Sequence, residues 1–507
     1  MPVLTLGEAL GGAAQRHPQR EALVFEGTRL TYAELDRRTR RLARVLRARG
    51  VRRGDVVHLL SLNCPEVLEI YFACAHAGAI MNALNPRSSA GELSAVIRHA
   101  GGRVAMVDAE LQSALEASGL DLDLIVHRGE PARAGRGRYE ALIEHAPNDA
   151  VPDGPLSAGS PVLLLYTFKG QGAPLGALLS HENVLWDALS TLTYADLTER
   201  DRLLQGMPLH HVAGLHILTI AALLRGMTIV IARQWRADLV CELIERERCT
   251  ITSMVPAAMR QLLDSPSPGA HDLRSLRTVL SFAGQYDRAL FTEALYRLRA
   301  GRLLFYYGLT EAGPIVSLTS STGETLWKEN TLGRPVWYLR TRVVRADGGD
   351  AAADEPGELW VRGPNVFLGY HRAPLATAQA LTEDGWLRTG DLVRADADGC
   401  LYLEGRLGAV IKSGGENVDA IEVEKIILEC APELSSAAVV GRPDPQWGER
   451  VVALCVAAPG STLSAEALRE RLRERLAGFK LPKEFRFLDD LPRTESGAVD
   501  RSKLSGL

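Results

Sequence analysis

Short apolar runs alternate along most of the chain with stretches whose apolar residues recur every three or four positions. Val56–Leu62 and Thr278–Phe282 are continuous apolar runs of strand length, whereas Thr31–Gly50 places its apolar residues at helical spacing between arginines. Apolar strands separated by helices are typical of mostly parallel sheets covered on both faces. The same patterns predict strands at Val104–Asp108, Asp123–Val126, Val162–Tyr166, Thr228–Ala232 and Thr250–Val255, and helices at Pro65–His76 and Asp238–Arg248.

The pattern changes in the second half of the chain. Gly333–Tyr402 has short alternating strands with frequent Gly, Pro and Asp, which predicts a small antiparallel barrel. The C-terminal part predicts helices at Ile421–Cys430 and Ala465–Leu476 around strands at Ala437–Val440 and Val451–Ala457. A Pro/Gly/Ser-rich connection, Ala146–Ser160, separates two subdomains before the barrel. We therefore expect an α/β protein with a large N-terminal domain (1–404) of two αβα subdomains plus a small β-barrel, and an α+β C-terminal domain (405–507).

Composition excludes several classes of function. The chain has 507 residues and a formal net charge of −4, with acidic and basic residues interspersed, so no field would attract nucleic acid or an anionic membrane. Seven scattered cysteines without a CxxC pair predict neither a disulfide framework nor a zinc site. The first residues lack a signal-peptide pattern, and the most apolar stretch, Val212–Ala232, is interrupted by His216 and Arg225. We expect a cytoplasmic protein without a membrane span.

A glycine-rich stretch, Tyr166–Gly176 (YTFKGQGAPLG), follows one predicted strand. Glycines let backbone N–H groups converge on a phosphate, while hydroxyls and a cation add further donors. Here those donors are few, since Thr167 is the only hydroxyl. Taken alone, the stretch favours an ordinary surface turn over a nucleotide loop. The positions that depart from a phosphate loop are Phe168, Lys169, Gly170, Gln171 and Leu175.

Four further motifs follow this loop along the chain. Any one of them alone could be a loop whose glycines have only a structural role. They are Tyr306–Glu311 (YYGLTE), Arg388–Asp391 (RTGD), Gly405–Asn417 (GRLGAVIKSGGEN) and Pro492–Gly497 (PRTESG). In order and spacing, together with the first loop, they resemble the adenylate-forming (ANL) superfamily of acyl-CoA synthetases, luciferases and peptide-synthetase adenylation domains. The resemblance covers nearly the whole chain.

The resemblance implies a reaction in two steps. A carboxylic acid first reacts with ATP to give an acyl adenylate and pyrophosphate, and a thiol then displaces AMP. It implies adenylate-binding residues Gly284, Gln285, Tyr306, Tyr307, Gly308, Thr310, Glu311, Asp391 and Arg406. It implies catalytic residues His211, Thr310, Gly408 and Gly414, with Gly408 as the hinge about which a mobile C-terminal domain rotates.

Each role follows from the residue's chemistry and has a simpler alternative. Thr310 offers a hydroxyl to a phosphoryl oxygen and Glu311 a carboxylate to Mg²⁺, although Thr-Glu is also a helix-capping pattern. Tyr307 offers a ring on which adenine can stack, and Asp391 can accept ribose hydroxyls, although a surface Asp–Arg pair is common. For His211 we favour a pocket wall over a general base.

The C-terminal motifs match the thiol side of the reaction. The segment from Lys412 through Gly414 and Gly415 matches the lining of the family's pantetheine tunnel. The residues predicted to hold the nucleotide end of CoA are Trp447, Phe479, Lys480 and Lys483, the alternative being an exposed basic turn beside a buried aromatic. Only seven of the 58 basic residues are lysines, and five of these follow residue 404. This clustering favours a CoA site in the C-terminal domain.

One departure is more serious. Ala498 stands where the family has a lysine that reaches the carboxylate and α-phosphate during adenylation. With the poor glycine loop, this predicts a non-adenylating acyl-CoA ligase that transfers a preformed acyl group from its adenylate to CoA. The combination resembles the non-adenylating ligases of platensimycin and platencin biosynthesis, which act on bulky diterpenoid acids.

The expected cofactors and partners follow from that hypothesis. CoA is a co-substrate, the AMP moiety arrives with the acyl adenylate, Mg²⁺ is not required for the thioester step, no resident metal is predicted, and a separate enzyme supplies the adenylate. We expect a monomer or homodimer. The alternatives are a complete ATP-dependent ligase in which Lys169 or Lys503 compensates, an amide- or ester-forming relative, and a non-catalytic binding protein for acyl adenylates or CoA esters.

Overall fold

The computed structural model describes residues 4–129, 139–147, 156–167, 175–282, 287–321, 328–406, 410–458, 463–492, 499 and 503–504. These residues form two compact units. The first contains Met1–Pro86, Ile97–Leu165 and Gly176–Gly405, and the second contains Arg87–Val96, Tyr166–Leu175 and Arg406–Leu507.

The helices lie between or beside the strands in chain order. They are α1 (Leu6–Arg16), α2 (Tyr32–Ala48), α3 (Pro65–Ala77), α4 (Ala90–Ala100), α5 (Gln112–Glu116), α6 (Tyr139–His145), α7 (His181–Tyr194), α8 (Ala221–Arg225), α9 (Ala237–Glu247), α10 (Pro256–Asp264), α11 (Ser267–Ala270), α12 (Arg288–Arg297), α13 (Pro374–Ala380), α14 (Ala420–Cys430) and α15 (Ala465–Arg473). A 3₁₀ turn covers Ala109–Leu111, and a π-helix covers Ala213–Ile220.

The strands are β1 (Glu21–Phe25), β2 (Thr28–Thr31), β3 (Val56–Leu60), β4 (Ile80–Leu84), β5 (Val104–Asp108), β6 (Asp123–Arg128), β7 (Pro161–Thr167), β8 (Leu175–Ser180), β9 (Arg202–Gln205), β10 (Thr228–Ile231), β11 (Ile251–Ser253), β12 (Thr278–Phe282), β13 (Arg302–Tyr307), β14 (Ser317–Ser320), β15 (Thr331–Pro335), β16 (Arg340–Val344), β17 (Gly357–Arg362), β18 (Gly369–Tyr370), β19 (Leu387–Ala395), β20 (Leu401–Arg406), β21 (Val410–Ser413), β22 (Glu416–Asp419), β23 (Leu434–Asp444), β24 (Gly448–Ala457) and β25 (Glu484–Leu488).

Two sheets organise the first unit. One has the order β18-β8-β7-β4-β3-β5-β6, and its pairs from β7 to β6 are parallel. The other has the order β16-β17-β19-β20-β15-β14-β13-β12-β11-β9-β10-β1-β2. Its central pairs from β13 to β1 are parallel, and its core strands are buried, as expected when helices cover both faces. This confirms the α/β prediction.

The region from Gly333 to Tyr402 is antiparallel, as predicted. Its strands do not stand apart, because β15 pairs with β14 and continues the strand path of the second sheet. The sequence shows alternation and turns but not which neighbour an edge strand pairs with. This continuity brings β19 into the same sheet as β13.

The C-terminal residues of the second unit form a sheet of order β22-β21-β24-β23, with β25 parallel to β24. Helices α14 and α15 contribute Val423, Ile427, Leu468 and Leu472 to its hydrophobic core. The predicted helices and strands are all present, with ends that differ by a few residues.

The seven cysteines are free thiols, and all but the half-buried Cys430 are buried. Burial raises the pKa of Cys241, Cys249 and Cys455 to about 12. Among the described helices, none has the length and hydropathy needed to cross a membrane.

Candidate functional site

The carboxyl end of β13 carries the YYGLTE motif. In an α/β sheet, ligands bind beyond the carboxyl ends of parallel strands, so this position suits a binding site. Tyr306 and Tyr307 are both buried and point to opposite faces, since successive side chains of a strand alternate. Gly308 and Thr310 follow directly and are half-buried. Only Tyr307 of the two tyrosines faces the neighbouring motif on β19.

Asp391 on β19 contacts Tyr307 on β13, although three strands lie between β19 and β13 in the order of the sheet. The Tyr307 hydroxyl donates to Asp391 Oδ2 at 2.5 Å, and Asp391 is 2% exposed. The Asp391 backbone N–H donates to Thr389 Oγ1 at 3.1 Å, and that hydroxyl donates to the Leu359 carbonyl at 2.7 Å. These bonds hold the Asp391 backbone and one carboxylate oxygen in place, and an ionised carboxylate is a group that can accept ribose hydroxyls.

Glu311 is a buried carboxylate beside Thr310. Its Oε1 accepts the Tyr370 hydroxyl at 2.8 Å, and its carbonyl accepts the Phe367 N–H at 2.9 Å. Mg²⁺ bound with ATP uses one or two carboxylates and phosphate oxygens, so Glu311 fits as the residue to hold it, and the ion would neutralise phosphate charge. No helix begins at Thr310 in the described part of the chain, so the capping alternative is wrong.

His211 lies just before the π-helix. Its ring centroid is 4.3 Å from that of His210, and its carbonyl accepts the Leu215 N–H at 2.9 Å. π-helices often occur at functional sites, because their wider turn displaces side chains from the α-helical positions. The half-buried ring is compatible with the predicted pocket wall.

Several predicted residues lie outside the described residues: Phe168, Lys169, Gly170, Gln171, Gly284, Gln285, Gly408 and Ala498. Arg406 ends β20, and its side chain is also outside the description. Leu175 is the first residue of β8 and is half-buried. The predicted roles of these residues stay predictions.

In the C-terminal unit, the predicted CoA-side residues form a cluster around Trp447. The Gly414 N–H donates to the Trp447 carbonyl at 2.8 Å, and Gly414 has a φ of +59°. A Cβ at this glycine would lie 3.0 Å from the indole ring. Lys483 Nζ is 5.4 Å from the ring centroid, and Gly415 follows in the same turn. An indole with a cation above it suits a nucleotide base and its phosphates.

Lys412 joins this cluster through its strand. It lies on β21, where its backbone N–H donates to Glu449 Oε2 at 2.6 Å, and it pairs with Asn417 on β22. Burial lowers the pKa of Lys483, and the charges of Arg87 and Arg469 lower it further. Lys483 is nevertheless exposed, so its ammonium is accessible to an anion.

Phe479 and Lys480 differ from the prediction. Phe479 is 7% exposed and belongs to the hydrophobic core of the unit, while Lys480 is 1% exposed. Lys480 Nζ donates to both carboxylate oxygens of Glu422, at 3.1 and 3.0 Å. A buried ammonium needs such a partner, and this one has little surface left for a ligand. Of the predicted CoA contacts, Trp447, Lys483 and the segment Lys412–Gly415 therefore remain.

Two residues at this site carry no motif in the sequence: Tyr370, which donates to Glu311, and the buried acid Asp187, which lies against the turn after Glu311. Gly369–Tyr370 is only a two-residue strand, and a single Asp within α7 has no local signal of function. Both residues reach the site only through contacts with residues far along the chain, Tyr370 with Glu311 and Asp187 with Gly313.

Two family models match this chain. A family model described as AMP-binding enzyme matches residues 11–371, and one described as AMP-binding enzyme C-terminal domain matches residues 422–498.

Similar proteins match over nearly their whole length. The chain is 36% identical to an indoleacetate–CoA ligase of Aromatoleum aromaticum over 508 residues, covering 99% of this chain and 98% of that protein. It is 37% identical to a feruloyl-CoA synthase of an Amycolatopsis species, covering 96% and 95%. A solved structure of a double mutant of o-succinylbenzoate CoA synthetase (MenE) from Bacillus subtilis, bound with its product analogue OSB-NCoA, has a TM-score of 0.88 and 28% identity, covering 98% of each chain.

Proposed function

We propose that this chain performs only the thioester half-reaction of an acyl-CoA ligase. The chain belongs to the family of AMP-binding enzymes and is an acyl-CoA ligase of the adenylate-forming superfamily. Its substrates are a preformed acyl adenylate and CoA, and its products are acyl-CoA and AMP. The thiol sulfur attacks the acyl carbonyl, the new C–S bond forms, and the C–O bond to the phosphate breaks. AMP leaves with that bonding pair, and the thiol proton is released.

One contrast carries the proposal. Ala498 replaces the lysine expected for adenylation, whereas Gly414, Trp447 and Lys483 of the thiol side lie together. Adenylation joins two anions, so its transition state needs fixed cations and hydrogen-bond donors. Losing one such group costs a factor on the order of 10²–10³ in rate. Thiol attack needs neither the lysine nor the glycine-rich loop, because pyrophosphate has already left.

In the proposed complex, most of the residues that hold the adenylate belong to the first unit, and Arg406 belongs to the second. The base of the adenylate lies by Gly284 and Tyr307, its ribose hydroxyls donate to Asp391, and its phosphate accepts from Thr310 and Arg406. Rotation about Gly408 then admits the pantetheine thiol along the segment that contains Gly414. Mg²⁺ is not required for this step, and another enzyme supplies the adenylate.

The test compares two reactions with the same protein. One contains a carboxylic acid, ATP, Mg²⁺ and CoA, and the other contains the synthetic acyl adenylate and CoA. We expect acyl-CoA from the second reaction alone, and no pyrophosphate from the first. Pyrophosphate release above a protein-free control would overturn the proposal, and absence of turnover in both would favour a binding protein.

The choice of acid matters for this test. The two relatives are named for indoleacetate and ferulate, which are aromatic acids. We therefore propose an aromatic acyl adenylate as the first probe and a diterpenoid acyl adenylate, the class suggested by the sequence, as the second. A hydroxylamine or amine acceptor in place of CoA would test the amide-forming alternative.

A complete ATP-dependent ligase is the second candidate. The observation that favours it is Glu311, a buried carboxylate suited to the Mg²⁺ of ATP, which a thioester-only enzyme does not need. Exchange of labelled pyrophosphate into ATP, measured with the acid present and CoA absent, separates this candidate from the first.

A further inference from the structure

Helix α7 presents two buried polar residues, Asn183 and Asp187, one turn apart on the same face. The Asn183 side-chain oxygen accepts the Ser180 N–H at 2.9 Å, which helps to cap the helix. The amide nitrogen of Asn183 donates to the carbonyls of Pro364 (2.7 Å) and Val366 (2.9 Å). The helix therefore holds the backbone on both sides of residue 365.

Asn365 continues this network toward the YYGLTE motif. It is fully buried, and its Nδ2 donates to the carbonyls of Ala312 (2.6 Å) and Ile315 (3.1 Å), with Asp187 Oδ1 at 3.3 Å. A side-chain amide has two hydrogens, so the two shorter contacts are the principal bonds. These bonds fix both ends of the turn Ala312–Ile315, whose buried carbonyls require partners.

Asp187 supports the middle of the same turn. A Cβ built on Gly313 would lie 2.1 Å from Asp187 Oδ2, and Gly313 has a φ of +58°. The carboxyl group therefore lies directly against the glycine backbone, where no side chain fits. Residues Thr310 and Glu311 precede this turn, and the Phe367 N–H, two residues after Asn365, holds the Glu311 carbonyl at 2.9 Å.

We propose that Asn365 and Asp187 are positioning residues of the adenylate site. They hold the turn Ala312–Ile315 from beneath, and the turn sets where the Thr310 hydroxyl and the Glu311 carboxylate stand. Neither residue contacts the adenylate in this proposal. The inference rests on the proposed function, because it requires that Thr310 contacts the phosphate of the adenylate.

The alternative is that the network serves only the stability of the first unit. The two cases differ in what a variant changes. A stability network lowers the unfolding temperature and leaves ligand affinity unchanged in the folded protein. A positioning network weakens adenylate binding at temperatures where the variant is fully folded, and its effect depends on Thr310.

The test measures the Kd of AMP by calorimetry and the KM of both substrates for Asn365→Ala and Asp187→Asn. For Asn365→Ala we expect the Kd of AMP and the KM of the acyl adenylate to rise about 10-fold, with the KM of CoA unchanged, since lost hydrogen bonds release the turn. Asp187→Asn keeps the shape and an acceptor, so we expect it to stay within about 2-fold of the wild type.

Asn82→Ala is the matched control, because Asn82 is also a fully buried asparagine of the first unit and its Nδ2 is 3.0 Å from His58 Nδ1. It should lower the unfolding temperature without changing the Kd of AMP. If Asn365→Ala fails to fold, Asn365→Ser replaces it, since a hydroxyl fills part of the space but can donate to only one of the two carbonyls. The same rise in Kd is expected.

A double-mutant cycle with Thr310→Val decides between the alternatives. We expect Thr310→Val to weaken AMP binding much less in the Asn365→Ala background than in the wild type. Additive effects, or an unchanged Kd of AMP in Asn365→Ala, would overturn this inference. The proposed function would still stand if the wild type turns over the adenylate normally. A wild type that binds no AMP would overturn both.

Discussion

The Tyr307 hydroxyl donates to the Asp391 carboxylate at 2.5 Å, and both side chains are buried. This bond joins the end of β13 to β19, two motifs separated by 84 positions in the chain. It orients the carboxylate before a ligand arrives. In the proposed complex, the ribose hydroxyls therefore meet an acceptor whose orientation is already set.

Tyr307→Phe removes this hydroxyl and keeps the ring. We expect the KM of the acyl adenylate to rise about 10- to 150-fold, because one hydrogen bond to a charged group contributes about 1.5–3 kcal/mol. The KM of CoA should not change. Steady-state kinetics with synthetic adenylate check this. Tyr402→Phe, which removes the comparable 2.9 Å bond to Asp396, is the matched control and should leave both constants unchanged.

Trp447→Ala tests the CoA side. Stacking of a base on an aromatic ring is worth about 1–3 kcal/mol, so we expect the KM of CoA to rise about 5- to 100-fold. The KM of the adenylate should stay constant. Lys483→Ala should act in the same direction, whereas Lys425→Ala, a lysine with a 67% exposed side chain on α14, should have no effect. Equal effects of the two lysine variants would contradict a site at Trp447.

Lys480→Met tests whether that lysine binds CoA or only packs. Removing the ammonium leaves Glu422 buried without its partner, so we expect a loss of about 3–5 kcal/mol in the free energy of unfolding. The double variant Lys480→Met/Glu422→Gln should recover part of this loss. Urea unfolding measures both. A raised KM for CoA with unchanged stability would instead restore the role predicted from the sequence.

The stability of the wild type depends on pH in a way that the stability of Asp187→Asn does not, because the Asp187 carboxyl group is buried. Burial raises the pKa of Asp187 well above its ordinary value, so the folded protein keeps a proton that the unfolded chain releases as pH rises. Wild-type stability should therefore fall relative to Asp187→Asn, by up to about 1.4 kcal/mol per pH unit above about pH 4, until the folded pKa is reached.

The groups around Asp187 do not titrate in this range. Burial raises the pKa of Tyr71 and Tyr338, and burial lowers the pKa of His216, beside Tyr71, to about 3. All three are neutral between pH 5 and 8. Thermal unfolding of the two proteins across that range checks the prediction, and parallel curves would show that Asp187 is ionised in the folded protein.

Ala498→Lys, combined with a rebuilt loop at Phe168–Gln171 and Leu175, should bring back adenylation. The added cation meets the charge that develops between carboxylate and α-phosphate, so we expect pyrophosphate release to rise on the order of 10²-fold or more. Ala498→Arg, in a protein that keeps the native loop, shows what the added charge does without the rebuilt loop. A rebuilt protein that binds ATP yet stays inert would show that another group is missing.

The predicted strands and helices are present because their patterns are local. Val104–Asp108 and Thr278–Phe282 match the observed strands, and Thr31–Gly50 contains α2. The path by which β15 continues the second sheet was not predictable, because pairing depends on partners far along the chain. Residue motifs likewise identify Tyr307 and Asp391, but not the bond between them.

Burial was the least predictable property of the site. Lys480 and Lys483 stand three positions apart in one basic stretch, yet the first is 1% exposed and the second is exposed. Which of them turns inward depends on Glu422 in α14, and a sequence shows the charge but not the partner. The same reasoning applies to Asp187, whose importance arises only from the turn that packs on it.

The burial of the cysteines has a further consequence for an enzyme that holds a reactive acyl group. An acyl adenylate acylates any nucleophile that reaches it, and a thiolate is the strongest nucleophile among the side chains. Burial raises the pKa of Cys241, Cys249 and Cys455 to about 12, so these thiols stay protonated near neutral pH, and most of the basic residues are arginines, whose guanidinium groups stay charged. If the proposed acyl adenylate is the substrate, these three buried thiols are poor competitors of the CoA thiol for its acyl group.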